Sequence, residues 1–347
     1  MARAVKWAMP AEWEPHEATW LAWPHEKTDW PGKFEPIVWL YGEIVRHLAR
    51  VERVRIIVED AGAGERVRRI LKKCHADLQA VDFFYHPTNR SWTRDYCPIF
   101  VKNSRGDVAM IHFRFNGWAK YDNFEQDCGV PLAIAEKFHI DRYEPGLVLE
   151  GGSIDVNGAG KLLTTEECLL SDVQARNPGV SRRELERGFR KYLGVGETIW
   201  LHCGIAGDDT HGHIDDMARF TSRYTVVIAA EPDKSDENHE PLKENLARLR
   251  ARGDLRIATL PMPEPVFFNR QRLPASYANF YIANRMVLAP VFGDANDRIA
   301  LNTLARLFPD REVIGIYSRD LVLGLGTLHC MTQQQPSTAR QPNPENW

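Results

Sequence analysis

The spacing of hydrophobic and polar residues changes repeatedly along this chain between the periods of strands and helices. Short runs rich in β-branched and aromatic residues predict strands at residues 54–58 and 81–85. Between such runs, apolar residues recur three and four positions apart, which predicts amphipathic helices at residues 39–48 and 65–74. A strand at residues 20–23, closed by a proline, precedes them. Strands that alternate with helices in this way predict the mixed α/β class.

The same two patterns continue towards the end of the chain. They predict further strands at residues 99–101, 108–115, 148–156, 161–164, 198–201, 225–229, 256–260, 276–283, 286–289 and 313–316. They predict further helices at residues 131–138, 181–193, 240–252 and 297–308. No Gly/Ser linker or low-complexity run divides the 347 residues, so we expect one domain spanning 1–347, with a core at about 9–336 and a frayed tail at 337–347.

The composition limits the kinds of molecule that this protein is expected to bind. The formal net charge is −3 and no basic stripe occurs, so nucleic-acid binding is not expected, whereas a small cationic substrate suits the mild acidity. No run of about 18 apolar residues predicts a membrane span, and the first ten residues lack the apolar segment of a secretory signal. The six scattered cysteines include no CxxC pair, so reduced thiols in a cytoplasmic protein are the simplest interpretation.

One cysteine stands in a distinctive setting near the end of the chain. Cys330 follows the glycine-bearing segment 324–326 and precedes a polar run that Pro336 closes. Glycines let the backbone approach a ligand closely, and a thiolate is a strong nucleophile when a neighbour lowers the pKa of the thiol. The alternative is a buried cysteine that acts as a small hydrophobic residue, which is the commoner case for an arbitrary cysteine.

Candidate partners for this sulfur lie in other polar loops that follow or interrupt predicted strands. These loops hold Asp95, Glu150, His213 with Asp215, and Cys330 itself. Successive separations are 55, 63 and 117 residues, and the last is close to twice the others. The spacing predicts one functional loop in each α/β unit, with one unit contributing less, because sites are commonly built on loops of a rigid scaffold.

Two of these acids have a structural alternative beside the functional one. Asp95 follows Arg94, and such neighbours often form a surface ion pair. The functional interpretation makes Asp95 a carboxylate that faces a pocket, with Trp92 as an aromatic wall. Glu150 interrupts an apolar stretch before two glycines. A carboxylate buried there needs a partner, so the sequence favours a paired or functional role for Glu150.

The segment around His213 supports three interpretations. In an extended segment, His213 and Asp215 would point to the same face, where they could serve as a general acid/base with an adjacent anionic binding group. The segment also offers metal-ligand types, namely Asp208, Asp209, His211, His213, Asp215 and Asp216. This stretch alone favours the catalytic and the metal interpretations equally, with a solvated acidic turn third.

Together these groups suit attack by Cys330 on a planar, cationic carbon. Two carboxylates such as Asp95 and Asp215 match the forked donors of a guanidinium. Glu150 could orient His213 or stabilise its charge. His213 could then protonate departing ammonia and later deprotonate water. This chemistry needs no metal and no cofactor.

With these residues assembled, the chain resembles the agmatine deiminase/bacterial-type peptidylarginine deiminase family of the guanidine-modifying, or pentein, superfamily. The resemblance runs from about residue 9 to 336. Six motifs carry it, at residues 93–98 (TRDYCP), 150–153 (EGGS), 208–215 (DDTHGHID), 276–284 (SYANFYIAN), 292–294 (FGD) and 329–336 (HCMTQQQP). Each motif alone is a weak or moderate signal, whereas all six in this order are a strong one.

The resemblance implies a fold and a set of roles. The fold is a five-bladed, pseudo-symmetric α/β propeller of ββαβ-type units around a central active site. The implied catalytic residues are Cys330 as nucleophile, His213 as acid/base, Glu150 as the partner of His213, and Asp95 with Asp215 as guanidinium clamps.

The resemblance also implies Trp92 and Trp118 as pocket walls and Gly326 among the substrate-binding groups. Two departures from the family pattern are visible. The family usually has a third glycine before the cysteine and a glycine where Cys97 stands, so the loop is expected to take a variant path and Cys97 to be a second thiol near Asp95.

The function implied is hydrolytic deimination of agmatine to N-carbamoylputrescine and ammonia through a covalent thiouronium, in putrescine and polyamine metabolism. Secreted peptidylarginine deiminases carry a signal peptide and extra C-terminal sequence, which are not seen here, so citrulline formation from peptidyl or free arginine is the alternative. The alternative from another class is a metal-dependent hydrolase or binding protein built on residues 208–216. The expected partner is a small cationic guanidino compound, with no nucleic acid or membrane, and a homodimer is left open.

Overall fold

The computed structural model describes residues 6–338, so residues 339–347 of the expected tail lie outside the described part of the chain. The strands are β1 (His16–Ala22), β2 (Arg53–Val58), β3 (Val81–Tyr85), β4 (Ile99–Lys102), β5 (Val108–Ile111), β6 (Arg142–Tyr143), β7 (Asp155–Val156), β8 (Lys161–Thr165), β9 (Glu197–Leu201), β10 (Ala218–Ser222), β11 (Thr225–Ala230), β12 (Arg256–Pro261), β13 (Phe267–Phe268), β14 (Gln271–Arg272), β15 (Tyr281–Ala283), β16 (Met286–Val291), β17 (Glu312–Tyr317) and β18 (Gln333–Pro336).

The helices are α1 (Phe34–Leu48), α2 (Ala61–Lys73), α3 (Thr93–Tyr96), α4 (Val130–Phe138), α5 (Glu166–Leu170), α6 (Arg182–Leu193), α7 (His239–Arg250) and α8 (Asp297–Leu307). Within residues 6–338, no helix combines the length and the apolar character that crossing a membrane requires.

Five sheets repeat one plan. In each, the first strand pairs antiparallel with the second, and the second pairs parallel with the third, as in β4-β5-β6 and β7-β8-β9. One or two helices connect the second strand to the third, since parallel neighbours need a crossover. The other sheets are β10-β11-β12, β15-β16-β17 and β18-β1-β2-β3, and β13 with β14 forms a separate hairpin. These five ββαβ-type units are the blades that the family resemblance implies.

The last strand closes the ring of units. Strand β18 pairs antiparallel with β1, with Ala18 opposite Gln335, so the end of the chain completes the first sheet. From the sequence this stretch is predicted only as a polar run, because its three consecutive glutamines mask the strand. Their side chains are buried yet bonded: Gln334 accepts from Arg94 Nη1 at 2.7 Å, and Gln333 donates to the carbonyl of Pro98 at 2.9 Å.

Helix α6 shows how local sequence signals position an element. Ser181 and Glu184 form a capping box at its start, and Gly194 ends it with φ +69°. Its buried residues Leu185, Phe189 and Leu193 recur at helical spacing and contact one of the four apolar clusters. The helix predicted at 181–193 is therefore confirmed.

Two predictions of strands are wrong at the segments that build the site. Of the strand predicted at 148–156, only Asp155–Val156 forms a strand, because Gly151–Ser153 forms a 3-10 turn. Of the strand predicted at 276–283, only Tyr281–Ala283 forms a strand. Strand β10 has no counterpart in the sequence prediction, because buried Arg219 interrupts its apolar pattern.

Candidate active site

Each of the five connections between successive units brings a polar side chain to one cluster. These side chains are Asp95, Glu150, His213, Asn279 and Cys330. Asn279 lies 66 residues after His213 and 51 residues before Cys330, so it divides the long gap in the predicted spacing. The unit that the sequence predicts to contribute less therefore supplies an amide. Two signals point to Asn279: the doubled separation and its place in the 276–284 motif.

Cys330 follows a loop with a strained backbone. A 3-10 turn spans Leu321–Gly324, and Leu325 after it has φ +66°, a conformation that favours glycine. The loop with fewer glycines therefore still adopts a left-handed turn. Burial, followed by the charge of Asp215, raises the pKa of the Cys330 thiol well above its usual range, so the resting thiol is protonated.

The amide of Asn279 contacts the sulfur. Its Oδ1 accepts hydrogen bonds from Thr327 Oγ1 at 2.7 Å and from the His329 backbone N–H at 3.0 Å. The backbone N–H can only donate, so Nδ2 must face the other way. There it donates to Cys330 Sγ at 3.1 Å and to Asp216 Oδ1 at 2.9 Å. A donor in this position stabilises a thiolate.

His213 is buried beside two carboxylates. Its Nε2 lies 3.7 Å from Glu150 Oε2, and its Nδ1 lies 4.0 Å from Asp95 Oδ1. Burial raises the pKa of Glu150, but Arg176, whose Nε donates at 3.0 Å, and His213 outweigh it and lower this pKa to about 2. Burial lowers the pKa of His213, but Asp95 and then Cys168 raise it well above its usual range. The resting imidazole is therefore protonated beside an ionised Glu150.

Asp95 is a buried pocket carboxylate, and the surface-pair alternative is wrong. Arg94 instead places Nη2 3.2 Å from a carboxylate oxygen of Glu12. The Asp95 oxygens accept from Gly152 N at 3.0 Å and Trp118 Nε1 at 2.9 Å. Burial raises the pKa of Asp95 to about 6, although the charge of the nearby imidazole opposes the rise. Asp95 is therefore about half ionised near pH 6 and becomes fully ionised only at higher pH.

The two glycines after Glu150 are required because neighbouring residues lie too close to their backbone to admit a side chain. A Cβ on Gly151 would lie 2.3 Å from the carbonyl oxygen of Arg94. A Cβ on Gly152 would lie 2.6 Å from His213 Nδ1 and 2.9 Å from Asp95 Oδ1. The Glu-Gly-Gly sequence therefore lets the backbone pass between the candidate acid/base and the candidate clamp.

Asp215 points into the cluster, although the segment is not extended as the sequence analysis supposes. His213 immediately precedes a 3-10 turn over Ile214–Asp216. Asp215 Oδ2 lies 3.7 Å from Cys330 Sγ and 2.6 Å from His329 Nδ1. Its Oδ1 lies 3.9 Å from His213 Nδ1 and has no hydrogen-bond partner among the described residues. Asp215 and Asp216 are both buried, so the solvated-turn interpretation is wrong.

A cavity of about 420 Å³ leads from solvent to the sulfur. Cys330 and Asp95 line its base, and Trp92, Trp118 and Gly326 line its walls. The lining further out includes Asp29, Arg90, Tyr121, Asp209 and Gln271. The candidate residues His213, Glu150 and Asp215 do not line this cavity but lie buried behind its base. The structure therefore brings all the predicted site residues together, with three of them in a layer beneath the cavity.

Comparison with known proteins identifies the family. Residues 8–336 match the model of the Porphyromonas-type peptidyl-arginine deiminase family. The chain belongs to this family. The resemblance predicted from the six motifs is thereby confirmed.

Relatives of this deiminase-family chain cover nearly its whole length. An agmatine deiminase of Pseudomonas aeruginosa is 34% identical over 364 residues, which cover 96% of this chain and 97% of that protein. The solved structure of an agmatine deiminase from Enterococcus faecalis is 30% identical, with a TM-score of 0.88 and 96% of both chains covered. An agmatine deiminase structure from C. jejuni is also 30% identical, with a TM-score of 0.86, covering 96% of this chain and 98% of that one.

Residues 208–216 of this family member do not converge on one metal position. Asp208 accepts hydrogen bonds from the backbone N–H groups of Thr210 and His213 at 2.7 and 3.0 Å. Asp209 instead contacts Lys120, and His211 Nε2 lies 3.2 Å from a serine hydroxyl. Two other groups have ligand atoms within 4.8 Å of one another, Glu150–Cys168–His213 and Asp215–Asp216–Cys330. Both belong to the cluster already described.

Cys97, which stands where the family usually has glycine, is not a reactive second thiol. It is buried in the first apolar cluster and does not line the cavity. Burial, followed by the charge of Asp127, raises the pKa of Cys97 well above its usual range. A protonated, enclosed thiol of this kind packs as a small hydrophobic side chain.

Proposed function

We propose that this protein hydrolyses agmatine to N-carbamoylputrescine and ammonia. The observation that carries the proposal is a buried thiol and carboxylate at the base of an aromatic-walled cavity, with a protonated histidine directly behind them. The Pseudomonas and Enterococcus relatives are agmatine deiminases, which supports agmatine as the substrate.

The charge of the cavity favours a substrate that is cationic at both ends. Three carboxylates line it, Asp29, Asp95 and Asp209, against the single guanidinium of Arg90. Arg90 is already paired with Asp29 and donates to Asn123 at 3.0 Å. Agmatine carries a guanidinium for the base of the cavity and an ammonium for the outer lining, where Asp209 is the carboxylate that Arg90 does not pair and that Lys120 contacts.

We assign the guanidinium to the space between Trp92 and Trp118. Asp95 at the base and the unpaired Oδ1 of Asp215 behind it are the acceptors for its N–H groups. Gly326 keeps the wall open, because a Cβ there would lie 3.0 Å from both Trp92 Cζ3 and Cys330 Cβ. The planar cation therefore lies beside the sulfur with aromatic faces that favour a cation.

A bound cation counteracts the negative charges that keep the Cys330 thiol protonated. Neighbouring carboxylates and burial raise the pKa of Cys330, so a positive charge beside the sulfur favours the thiolate, whose proton leaves to water. The thiolate attacks the guanidinium carbon, while Asn279 Nδ2 stabilises its charge. The C–S bond forms, and His213 protonates the departing nitrogen, which leaves as ammonia.

A covalent thiouronium and a neutral His213 remain. His213 takes a proton from water, and the hydroxide adds to the thiouronium carbon. The C–S bond then breaks, so Cys330 leaves as a thiolate and the ureido product is released with one proton, which ammonia takes up. Glu150, ionised through Arg176, stabilises the His213 cation in both half-reactions. General acid/base help of this kind contributes about 10²–10⁴ in rate.

The test is a colorimetric ureido assay with agmatine, arginine and an arginyl peptide side by side. We expect turnover of agmatine, loss of turnover in Cys330→Ala with the circular-dichroism spectrum unchanged, inactivation by a thiol alkylator and no effect of a chelator. Wild-type activity in Cys330→Ala would exclude the mechanism. Activity that a chelator removes and a divalent metal restores would instead support a metal-dependent hydrolase.

The same assay decides the second candidate, peptidylarginine deimination. The description of the matching family model favours that activity. Preference for the arginyl peptide over agmatine by kcat/KM would replace agmatine as the substrate while leaving the roles of Cys330 and His213 unchanged.

We further propose that the protein is a single domain and is cytoplasmic. Whether it forms a homodimer is a matter for measurement. Closure of the first sheet by β18 supports the single domain. All six cysteines lie within the described residues and are free thiols, which fits a reducing compartment. One cooperative unfolding transition, cell fractionation and sedimentation would test the three statements.

A further inference from the structure

The residue before the nucleophile, His329, is buried between two carboxylates from distant parts of the chain. Its Nδ1 lies 2.6 Å from Asp215 Oδ2, and its Nε2 lies 2.8 Å from Glu12 Oε2. An ionised carboxylate only accepts hydrogen bonds, so both contacts require a hydrogen on each ring nitrogen. His329 is therefore an imidazolium held by charge-assisted bonds on both sides.

Glu12 is fixed as an anion by its surroundings. Its Oε1 accepts from the backbone N–H of Ile282 at 2.8 Å and lies 2.9 Å from Arg219 Nη2, while its Oε2 accepts from Arg94 Nη2 at 3.2 Å. Burial raises the pKa of Glu12, but Arg219, His329 and Arg94 together outweigh it and hold this pKa well below its usual range. Glu12 thus stays ionised, and its Oε2 remains an acceptor for His329 Nε2.

This arrangement distinguishes Asp215 from the other carboxylates that raise the pKa of the thiol. Burial raises the pKa of Asp215, but the hydrogen bond and charge of His329, together with the charges of His213 and Arg219, outweigh it and lower this pKa. Burial instead raises the pKa of Asp95 to about 6 and that of Asp216 well above its usual range. The titratable and charged groups facing Asp215 are His329, His213, Arg219, Asp95, Asp216 and Cys330.

We infer that Glu12 and His329 form a buried positioning dyad that holds Asp215 ionised, with Oδ2 occupied and Oδ1 directed to the substrate guanidinium. The inference rests on the proposed function, because it concerns the acceptor of the guanidinium. Neither member of the dyad lines the cavity, so both act through Asp215. Glu12 precedes the first strand, and this contact links the two ends of the folded chain to the site.

The informative variant is Glu12→Gln, assayed as kcat/KM for agmatine against pH. The glutamine amide still reaches Nε2 of His329 but removes the anionic acceptor there, so the charge-assisted bond from His329 to Asp215 is weakened. In the wild type, Asp95 with its pKa of about 6 sets the acid limb. In Glu12→Gln, Asp215 titrates as well, so the acid limb moves to higher pH and steepens from one proton towards two.

We expect kcat/KM of Glu12→Gln to fall about tenfold or more at pH 6, mainly through KM, and to recover as the pH rises. His329→Gln should show the same acid-limb shift with a larger loss, because both contacts of the ring are removed. Recovery at high pH separates positioning from simple loss of structure, since a misfolded site would not be rescued by deprotonation.

Asp155→Asn is the matched control. Asp155 is a buried carboxylate 3.4 Å from Arg219 Nε, in the same network as Glu12 but without a hydrogen bond to His329. Its variant should lower the melting temperature while the acid limb superimposes on that of the wild type. Folding of every variant is checked by circular dichroism at the assay temperature.

The dyad would be overturned if the acid limbs of Glu12→Gln and His329→Gln superimposed on that of the wild type. A limb that moves equally in Asp155→Asn would also overturn it, because the effect would then belong to the network as a whole. If the wild type turns over no guanidino substrate, the proposed function fails, and the failure is seen before any variant is compared.

Discussion

Two histidines flank the Cys330 thiol, and they differ in how their ring nitrogens are paired. The nitrogens of His329 lie 2.6 and 2.8 Å from carboxylate oxygens, within hydrogen-bond distance. The nitrogens of His213 lie 3.7–4.0 Å from their carboxylates, beyond a good hydrogen bond. A ring fixed by two strong bonds keeps its orientation and holds its neighbours in place. A ring that is cationic but loosely held can give up a proton and take it back.

The carboxylates beside the two rings differ in the same way, since one is fully hydrogen-bonded and the other is not. Glu12 is held by two arginines and a backbone N–H, so the His329 side is a closed network. On the other side, Glu150 Oε2 and His213 Nε2 have no hydrogen-bond partner within the described residues. Buried polar atoms without partners are costly, and here they lie where the proposed proton transfers occur. The His329 side of the sulfur therefore serves positioning, and the His213 side serves proton transfer.

The largest effect should come from removing the loosely held ring. His213→Gln should lower kcat by about 10²–10⁴, because no other group can protonate the departing nitrogen. The measurement is steady-state turnover of agmatine at pH 8, above the Asp95 pKa of about 6 in the wild type.

For the firmly bonded ring of His329 we expect a different result. In His329→Gln, KM should rise by a larger factor than kcat falls. The assignment of the two rings would be exchanged if His213→Gln changed KM alone and His329→Gln changed kcat alone.

A smaller effect is expected from Glu150→Gln. Glu150 helps to raise the pKa of His213, so the basic limb of kcat/KM, where His213 loses its proton, should move to lower pH. Arg176 would also be left as a buried cation without its carboxylate, which costs about 3–5 kcal/mol of stability. The pH profile and urea unfolding of the same variant measure the two effects.

Arg176→Met supplies the control for this variant, because it removes the arginine and leaves the Glu150 carboxylate. Glu150 would lose the charge that lowers its pKa. A basic limb that stays in place in Glu150→Gln would show that Glu150 is only a structural partner of Arg176.

The smallest effect should come from Cys168→Ala. The buried Cys168 thiol is the second cause that raises the pKa of His213, so its loss should move the basic limb slightly to lower pH with kcat almost unchanged. The pH profile of kcat/KM is again the measurement. A large loss of kcat with an unmoved limb would give Cys168 a direct role that the comparison does not predict.

The sequence predicts more of the site than of the connections that hold it. Cys330, His213, Glu150, Asp95 and Asp215 are recognisable because their side-chain chemistry stands out in polar loops after predicted strands. The strand predicted at 148–156 fails at Glu150–Ser153, because the turn there depends on close contacts with His213 and Arg94 that come from other units. A local pattern carries no information about such distant contacts.

Asn279 and Glu12 show the same limit for individual residues. An asparagine in an apolar stretch and a glutamate before the first strand have no distinctive local pattern. Their importance comes from atoms 51 and 317 residues away, Cys330 Sγ and His329 Nε2. The doubled separation between His213 and Cys330 and the 276–284 motif give an indirect signal for Asn279 alone.

The sequence by itself determined the α/β class, the family and the residues able to do the chemistry, because side-chain type and periodicity are local properties. The tertiary structure decided which of these groups share a proton, which is ionised and which is fixed. Those properties depend on distances of a few ångströms and on burial from water, and both are set by five units packed around one point. Nowhere is this clearer than at the two histidines, which are the same residue type in the sequence but are separated in role by about 1 Å of hydrogen-bond distance.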